Sequence, residues 1–457
     1  GSTESNVPAA DSMFPSSMGM TFCVNKEAKA LEITASWGRY DRQKSELSFT
    51  DKGNPKTVWK RCPLTGTVTQ TLTDNADIDI IPVPDEAPAV LLRGHIRQLP
   101  DGDWMVTIFL VNGQTEPSQS KDYAWLFQPE IVVRSADSSV PAIFLRKPFE
   151  DHASALDPVI QAENQAMAML YRHQVEFAVG HGVGVHAEVA PQTPTRATCL
   201  STSVIPTYEV PATKPPTVQE IPALDGLNLD MKQLSEVTGI ELRSALQPLT
   251  TAYATWIDQQ ASRISDPDEK LTPYQNAAEK ALTHCRTVLT RIEEGITTLE
   301  TNPQAAEAFR FMNRAMYLQR IHSLYSERQR RGETLTLDDI DIPKNRSWYP
   351  FQLAFILLNI PSTSDLHHTA RSHPTDAVVD LLWFPTGGGK TEAYLGLTAY
   401  TIGLRRLQGA IAGRDGEHGV AVLMRYTLRL LTLQQFQRAT TLMCALELLR
   451  QQKNRFE

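Results

Sequence analysis

The stretch DLLWFPTGGGKTEAYLGL, residues 380–397, carries the clearest chemical pattern in the sequence. An apolar run is followed by three consecutive glycines, a Lys-Thr pair and a helix-forming segment. Glycines let a backbone curl with its N–H groups turned inward, and the N-terminus of the next helix attracts polyphosphate. The pattern therefore predicts an ATP-binding loop in which Lys390 reaches the β- and γ-phosphates and Thr391 places its hydroxyl on Mg²⁺.

The predicted loop defines a set of candidate site residues. Lys390 is the candidate catalytic residue, because its charge would lie against the phosphates that react. The predicted nucleotide-binding residues are Thr386, Gly387, Gly388, Gly389, Lys390, Thr391 and Glu392. The alternative is a glycine-rich turn that binds nothing.

The segments around the loop follow an α/β rhythm. Residues 377–384 form a nearly continuous apolar run, typical of a parallel strand that is buried on both faces. A helix over 391–407, a second strand over 419–424 and a helix over 428–452 are predicted to follow. This order predicts a RecA-like nucleotide-binding lobe over residues 345–457, of which the sequence contains an incomplete part.

The region before this lobe divides by pattern. Residues 20–150 alternate in the manner of short strands, which predicts a β-rich domain with a sandwich or barrel-like shape. A turn around Gly102 predicts a hairpin between residues 89–98 and 104–112. Together with the later lobe, these strands make the fold class multidomain, α+β and α/β.

Three further regions complete the predicted organisation. Residues 1–19 are expected to form a flexible tail. Residues 151–225 combine a helix over 155–178 with a Pro/Thr-rich stretch that is expected to be an extended linker, since proline denies helical hydrogen bonds. Residues 226–332 show helical periodicity and predict a domain of three or four amphipathic helices.

Composition limits the classes of protein that fit. The chain has 457 residues, a net charge of −8 and no apolar run long enough to suggest a membrane span. Its five cysteines are scattered without a CxxC pair, which argues against a disulfide framework and favours the cytoplasm. Because the whole chain is acidic, any contact with nucleic acid must depend on local basic surface.

The loop departs from the general phosphate-loop pattern, since Phe384 stands where the first glycine is expected. The form P-T-G-x-G-K-T resembles motif I of superfamily 2 helicases and translocases, in which Thr386 would take over the shaping of the loop. In WYPFQLAF, Gln352 resembles the upstream helicase glutamine that recognises adenine edges. A capping or surface glutamine is the alternative.

A further stretch, MRYTLRLLTLQQF, stands where helicase motif Ia is expected. The candidate contacts to a nucleic-acid backbone are Arg425, Thr427, Arg429 and Gln434. Each of them could also be an ordinary helix or loop residue.

These segments, together with SSMGMTFCV, GHGVGVHAEV and AFRFMNRAMYLQR, resemble the DrmA family, the helicase subunits of the bacterial DISARM anti-phage system. The resemblance implies an ATP-dependent motor that binds DNA. It also implies a DrmB-like partner protein and other DISARM components.

The sequence after Lys390 contains no acidic motif II, in which an Asp would hold Mg²⁺ and a Glu would orient the attacking water. A second lobe with an arginine finger, which contributes ~10³ to 10⁵ in kcat in related enzymes, is also not found. We therefore expect the N-terminal part of a longer helicase, inactive alone. The alternatives are a partner-recruiting scaffold with a vestigial loop and a P-loop ATPase of another superfamily.

Overall fold

The protein, studied as a computed structural model, divides into two units, residues 1–210 and 211–457. Each unit has its own hydrophobic core. The described residues are 15–146, 157–174, 176–205, 207, 214–384, 388–425 and 429–453. Within them, no helix is both long enough and apolar enough to cross a bilayer.

In its described residues the first unit forms a single sheet of eleven strands, all paired antiparallel, that curls into a half-barrel. The strands are β1 (Ser17–Val24), β2 (Ala30–Phe49), β3 (Pro55–Thr71), β4 (Ala76–Ile80), β5 (Val90–Gln98), β6 (Trp104–Asn112), β7 (Phe127–Ser135), β8 (Phe144–Leu145), β9 (Ala178–His181), β10 (Gly184–Ala190) and β11 (Thr193–Ser203). The order across the sheet is β3-β2-β7-β11-β8-β1-β6-β5-β4, with β10 beside β11 and β9 beside β1. One helix, α1 (Pro158–Leu170), lies between β8 and β9 in the sequence.

Alternation of side chains explains why this sheet forms. Along β2, Ile33, Ala35 and Trp37 are buried, as expected for a strand with one face on a core. The predicted hairpin is confirmed, since β5 pairs with β6 from Val90–Asn112 to Gln98–Trp104. Gly102 in its turn has a φ of 89°, which a glycine adopts without strain.

The structure corrects three predictions in this unit. Where short strands were expected, β3 runs for 17 residues, and it continues through Pro63 because it lies at the edge of the sheet, where a missing ladder donor is tolerated. Part of the predicted linker is strand β11, whose buried Ala197, Cys199 and Leu200 pack into the sheet. The helix predicted over residues 155–178 is shorter in the structure, where α1 spans Pro158–Leu170.

The second unit is helical in its described residues. Its helices are α2 (Met231–Leu234), α3 (Ile240–Arg263), α4 (Gln275–Thr301), α5 (Pro303–Arg330), α6 (Leu337–Ile340), α7 (Pro350–Ser364), α8 (Thr369–Ser372), α9 (Lys390–Gln408) and α10 (Arg429–Lys453). The amphipathic helices predicted from periodicity are confirmed. Apolar side chains of α3, α4, α5, α7, α9 and α10 share one core, so the helix after the glycine loop packs on the same core as the helices before it.

A buried ionic network fixes the segment that leads into α7. Arg346 donates from Nε to both carboxylate oxygens of Asp230, at 2.9 and 3.0 Å, and from Nη1 to the Asp341 side chain. Tyr317 and Lys232 also donate to Asp341, at 2.8 and 2.9 Å. Each buried charge is therefore paired, as a low-dielectric environment requires.

A close contact fixes α7 itself. A Cβ on Gly295 of α4 would lie 2.1 Å from the carbonyl oxygen of Leu357 in α7, so only glycine allows the two helices this approach. The middle of α7 is thereby held against α4.

The RecA-like lobe is not confirmed. Its two predicted strands, 377–384 and 419–424, have irregular structure and pair with no other strand in the described part of the chain. Leu381 and Leu423 are 86% and 87% exposed. A parallel strand needs neighbours on both sides to satisfy its backbone, and the described residues supply none to these two segments.

Candidate functional site

The candidate site lies where the start of α7 meets the start of α9. Pro350 occupies the first turn of α7, where its missing N–H costs nothing. Gln352 follows in the same turn and is buried, with an exposed fraction of 3%. Its Oε1 accepts from the backbone N–H of Tyr349 at 2.8 Å, which caps α7.

The other end of the same amide contacts the predicted loop. Gln352 Nε2 donates to the carbonyl oxygen of Gly389 at 2.7 Å. Gln352 therefore caps α7, as the alternative interpretation of this residue stated, and it also contacts Gly389 at the end of the loop. Adenine recognition by Gln352 stays a prediction, and the amide retains one further N–H and one further lone pair for it.

A second contact joins the two segments. The ring of Phe351 stacks on the ring of Phe384, with centroids 4.0 Å apart and planes 12° from parallel. Phe384 is the residue that stands in place of the usual first glycine. This position therefore holds the loop against α7 by aromatic stacking.

The loop ends in a backbone arrangement suited to an anion. Gly389 has a φ of 88°, and a Cβ there would lie 2.7 Å from Gln352 Nε2, so glycine is required on both counts. As the N-cap of α9 it offers no side chain to the N–H groups of the first helical turn. Lys390 Nζ donates to the carbonyl oxygen of Phe384.

The other predicted loop residues are placed as follows. Gly388 and Thr391 flank Gly389 and Lys390 and are half-buried. Thr386 and Gly387 lie outside the described residues. Their predicted contacts with a nucleotide stay predictions.

Glu392 has partners that the sequence did not suggest. Its carboxylate accepts from Arg438 of α10, and the Nη1 of Arg320 in α5 lies 3.8 Å from it. The side chain is only 18% exposed. Glu392 therefore joins three helices beside the loop, and these arginines are functional candidates that local pattern could not reveal, since they lie far away in the sequence.

The predicted nucleic-acid contacts are only partly described. Arg425 and Gln434 are exposed, and Gln434 lies on α10. Arg429 begins α10, but its side chain and the whole of Thr427 lie outside the described residues. Their contacts with a nucleic-acid backbone stay a prediction.

Comparison with known proteins gives one informative match. No protein-family model matches the chain. The DISARM protein DrmA of Bacillus paralicheniformis is 33% identical over 452 residues, a match that covers 96% of this chain. The chain spans 37% of the length of that relative. The resemblance indicated by the sequence motifs is confirmed: along nearly its whole length this chain is similar to the DISARM protein DrmA.

Proposed function

We propose that the chain is the nucleotide-gripping part of an ATP-dependent DNA helicase or translocase that serves in an anti-phage defence system. The observation that carries the proposal is the pair of contacts from α7 to the loop, Gln352 to Gly389 and Phe351 to Phe384. An upstream glutamine that reaches a glycine loop is the arrangement expected where a base and its phosphates bind side by side.

The residues present fit ATP. The uncapped first turn of α9 offers N–H groups to the phosphates, and the side chain of Lys390 would exchange its carbonyl partner for phosphate oxygens. Mg²⁺, when bound with the nucleotide, neutralises the charge that develops on the transferred phosphoryl group. Thr391, which follows Lys390 in the loop pattern, is the residue whose hydroxyl would hold it.

DNA and other defence proteins are the proposed partners. Arg425, Thr427, Arg429 and Gln434 remain the candidate contacts to DNA in the second unit. The relative is named as a DISARM protein, which supports a DrmB-like partner and other DISARM components as the assembly in which this chain works.

The test is ATP hydrolysis by the complete gene product, with and without DNA. We expect DNA to stimulate hydrolysis. Lys390→Ala should reduce the stimulated rate at least about 100-fold, since it removes the positive charge that would lie against the reacting phosphates. The matched control is Lys280→Ala, at an exposed position of α4, which should leave the rate unchanged. Equal rates for wild type and Lys390→Ala would exclude the motor, and hydrolysis indifferent to DNA would favour a P-loop ATPase of another superfamily.

One observation favours a second candidate, a scaffold that recruits partners. Leu381, Trp383 and Leu423 expose 86%, 80% and 87% of their surface, and large exposed apolar side chains mark interaction sites. A scaffold would keep its partners bound after Lys390→Ala and would hydrolyse no ATP. Co-purification of the defence proteins with the variant, together with the ATPase measurement, distinguishes the two functions.

A further inference from the structure

The far half of the β2–β3 hairpin extends past its neighbours. Strand β2 pairs with β7 only between Leu31 and Gly38, whereas its pairing with β3 continues to Phe49. Beyond Gly38 the hairpin is therefore two-stranded, because no third strand pairs with the other edge of β2.

One face of this hairpin carries cations and aromatic rings. Residues directly opposite each other in an antiparallel pair share a face, and the register pairs Tyr40 with Arg61, Arg42 with Trp59 and Lys44 with Thr57. Two contacts agree with this arrangement. Arg42 lies over the Trp59 ring at 4.5 Å from its centroid, and Lys44 donates to Thr57 at 3.2 Å. We call these six residues the hairpin face.

The charge of the hairpin opposes that of the chain. Residues 39–61 contain seven Lys or Arg and three Asp or Glu, a net charge of +4, while the whole chain carries −8. Within the described residues, Arg42, Lys44 and Arg61 form no ion pair. The acidic residue between them, Asp41, points to the opposite face, where Arg39 pairs with it at 3.2 Å.

The cations are held in place by polar and aromatic neighbours. Arg61 donates from Nε to Gln128 at 3.2 Å and lies over Gly38, where a Cβ would approach that nitrogen to 2.7 Å. The ring of Tyr123 lies 6.1 Å from that of Trp59, which is nevertheless 42% exposed. The hairpin face is therefore positioned before any ligand binds, and its charged groups and the Trp59 ring are exposed to solvent.

We propose that the hairpin face binds single-stranded nucleic acid. Arg42, Lys44 and Arg61 would contact successive phosphates, and an unpaired base would stack on the Trp59–Arg42 pair. A single strand fits better than a duplex, because bases offer their faces for stacking only when they are unpaired. The proposal does not depend on ATP binding, since every residue in it belongs to the first unit.

The test is fluorescence anisotropy of a labelled oligothymidylate titrated with the 457-residue chain in the absence of nucleotide. We compare Trp59→Ala and the double variant Arg42→Gln/Arg61→Gln with a matched control, Lys56→Gln/Lys60→Gln. The control also removes two positive charges from the hairpin. Lys56 and Lys60 alternate with Trp59 and Arg61 along β3, so they lie on the opposite face. Circular dichroism verifies that each variant is folded.

We expect Trp59→Ala and the face double variant each to weaken binding at least about fivefold, and the control double variant to change it less than about twofold. The slope of log affinity against log salt should fall by ~1.4 in the face double variant, from ~0.7 per single-strand phosphate contact. Trp59→Tyr should restore most of the affinity, because a ring remains available for stacking.

Three results would overturn the proposal. Equal losses in the two double variants would mean that the charge of the hairpin acts without a defined face. Equal affinity for a duplex of the same length would remove the stacking argument. Retention of oligonucleotide binding by the face variants, with loss of a protein partner, would assign the face to that protein. Lys390→Ala should leave oligonucleotide binding intact, so failure of the proposed ATPase would not be confused with failure here.

Discussion

The strands of the first unit and the two apolar segments of the second unit differ in whether another backbone pairs with them. Residues 377–384, with seven apolar side chains in eight, are more apolar than strand β2. Ile33 in β2 is fully buried, whereas Leu381 is 86% exposed. The composition of a segment therefore does not make it a strand until another backbone satisfies its N–H and C=O groups.

The kind of connection explains which strands find partners. In the first unit β2–β3, β4–β5, β5–β6 and β10–β11 are antiparallel neighbours in the sequence, so a turn brings each pair together. The two segments of the second unit flank helix α9, as parallel strands do, and parallel strands pair through crossovers with residues far away. The helices α9 and α10 form regardless, because helical hydrogen bonds are local.

The largest difference is expected when an apolar residue of each region is replaced by aspartate. Ile33→Asp places an unpaired charge in the core of the first unit and should cost more than about 4 kcal/mol, while Leu381→Asp should change stability by less than about 0.5 kcal/mol. Hydrogen exchange measured by mass spectrometry reports on each unit separately. A large loss of protection in the second unit after Leu381→Asp would show that residues 377–384 are buried in solution.

A bidentate ion pair ties the first of these segments to the helices. Arg291 of α4 donates to both carboxylate oxygens of Asp380, at 2.6 and 2.7 Å, and this hydrogen bonding raises the pKa of Arg291 despite its burial. Asp380→Ala should cost about 1.5 to 3 kcal/mol and speed exchange at Val378, whose backbone N–H donates to the Ala370 carbonyl oxygen at 2.8 Å. The control is Asp376→Ala, at an exposed position four residues earlier. It should change stability and hydrogen exchange by no more than about a tenth of the effect of Asp380→Ala. Unchanged exchange in Asp380→Ala would show that the segment is held by other contacts.

Local features were predictable from the sequence, and distant pairings were not. The β5–β6 hairpin and helix α9 follow from turn residues and periodicity over short windows. Gln352 was recognisable as a candidate from its neighbours, but its bond to Gly389 joins residues 37 apart. The pairing of Glu392 with Arg438 spans 46 residues, and no short-range pattern encodes it.

Acid should weaken the helical unit through Asp341. Burial alone would raise the pKa of this carboxyl, but hydrogen bonds from Lys232, Tyr317 and Arg346 outweigh burial and lower the pKa to about 2 from an ordinary 3.8. A lowered folded-state pKa stabilises the fold above the ordinary value, so about 2 kcal/mol should be lost as the pH falls from about 4 through about 2. Urea unfolding of the second unit against pH measures this loss. Asp341→Asn should flatten that part of the curve, and an equally steep curve in the variant would assign the loss to other carboxyls.

The smallest expected effect separates the two contacts of Gln352. Gln352→Glu keeps an oxygen that accepts from Tyr349 but replaces the N–H donor to Gly389 with a second acceptor. At neutral pH the ionised carboxylate would face the Gly389 carbonyl oxygen with no proton to donate, and its burial adds to the cost, so we expect faster exchange at the start of α9, equivalent to at least about 1 kcal/mol, with α7 unchanged. Gln352→Ala loses both contacts and should loosen both helices. If Gln352→Glu leaves α9 unchanged, the bond to Gly389 does not hold the loop, and the glutamine serves only to cap α7; the glycine loop would then owe its position to the stacking of Phe351 on Phe384.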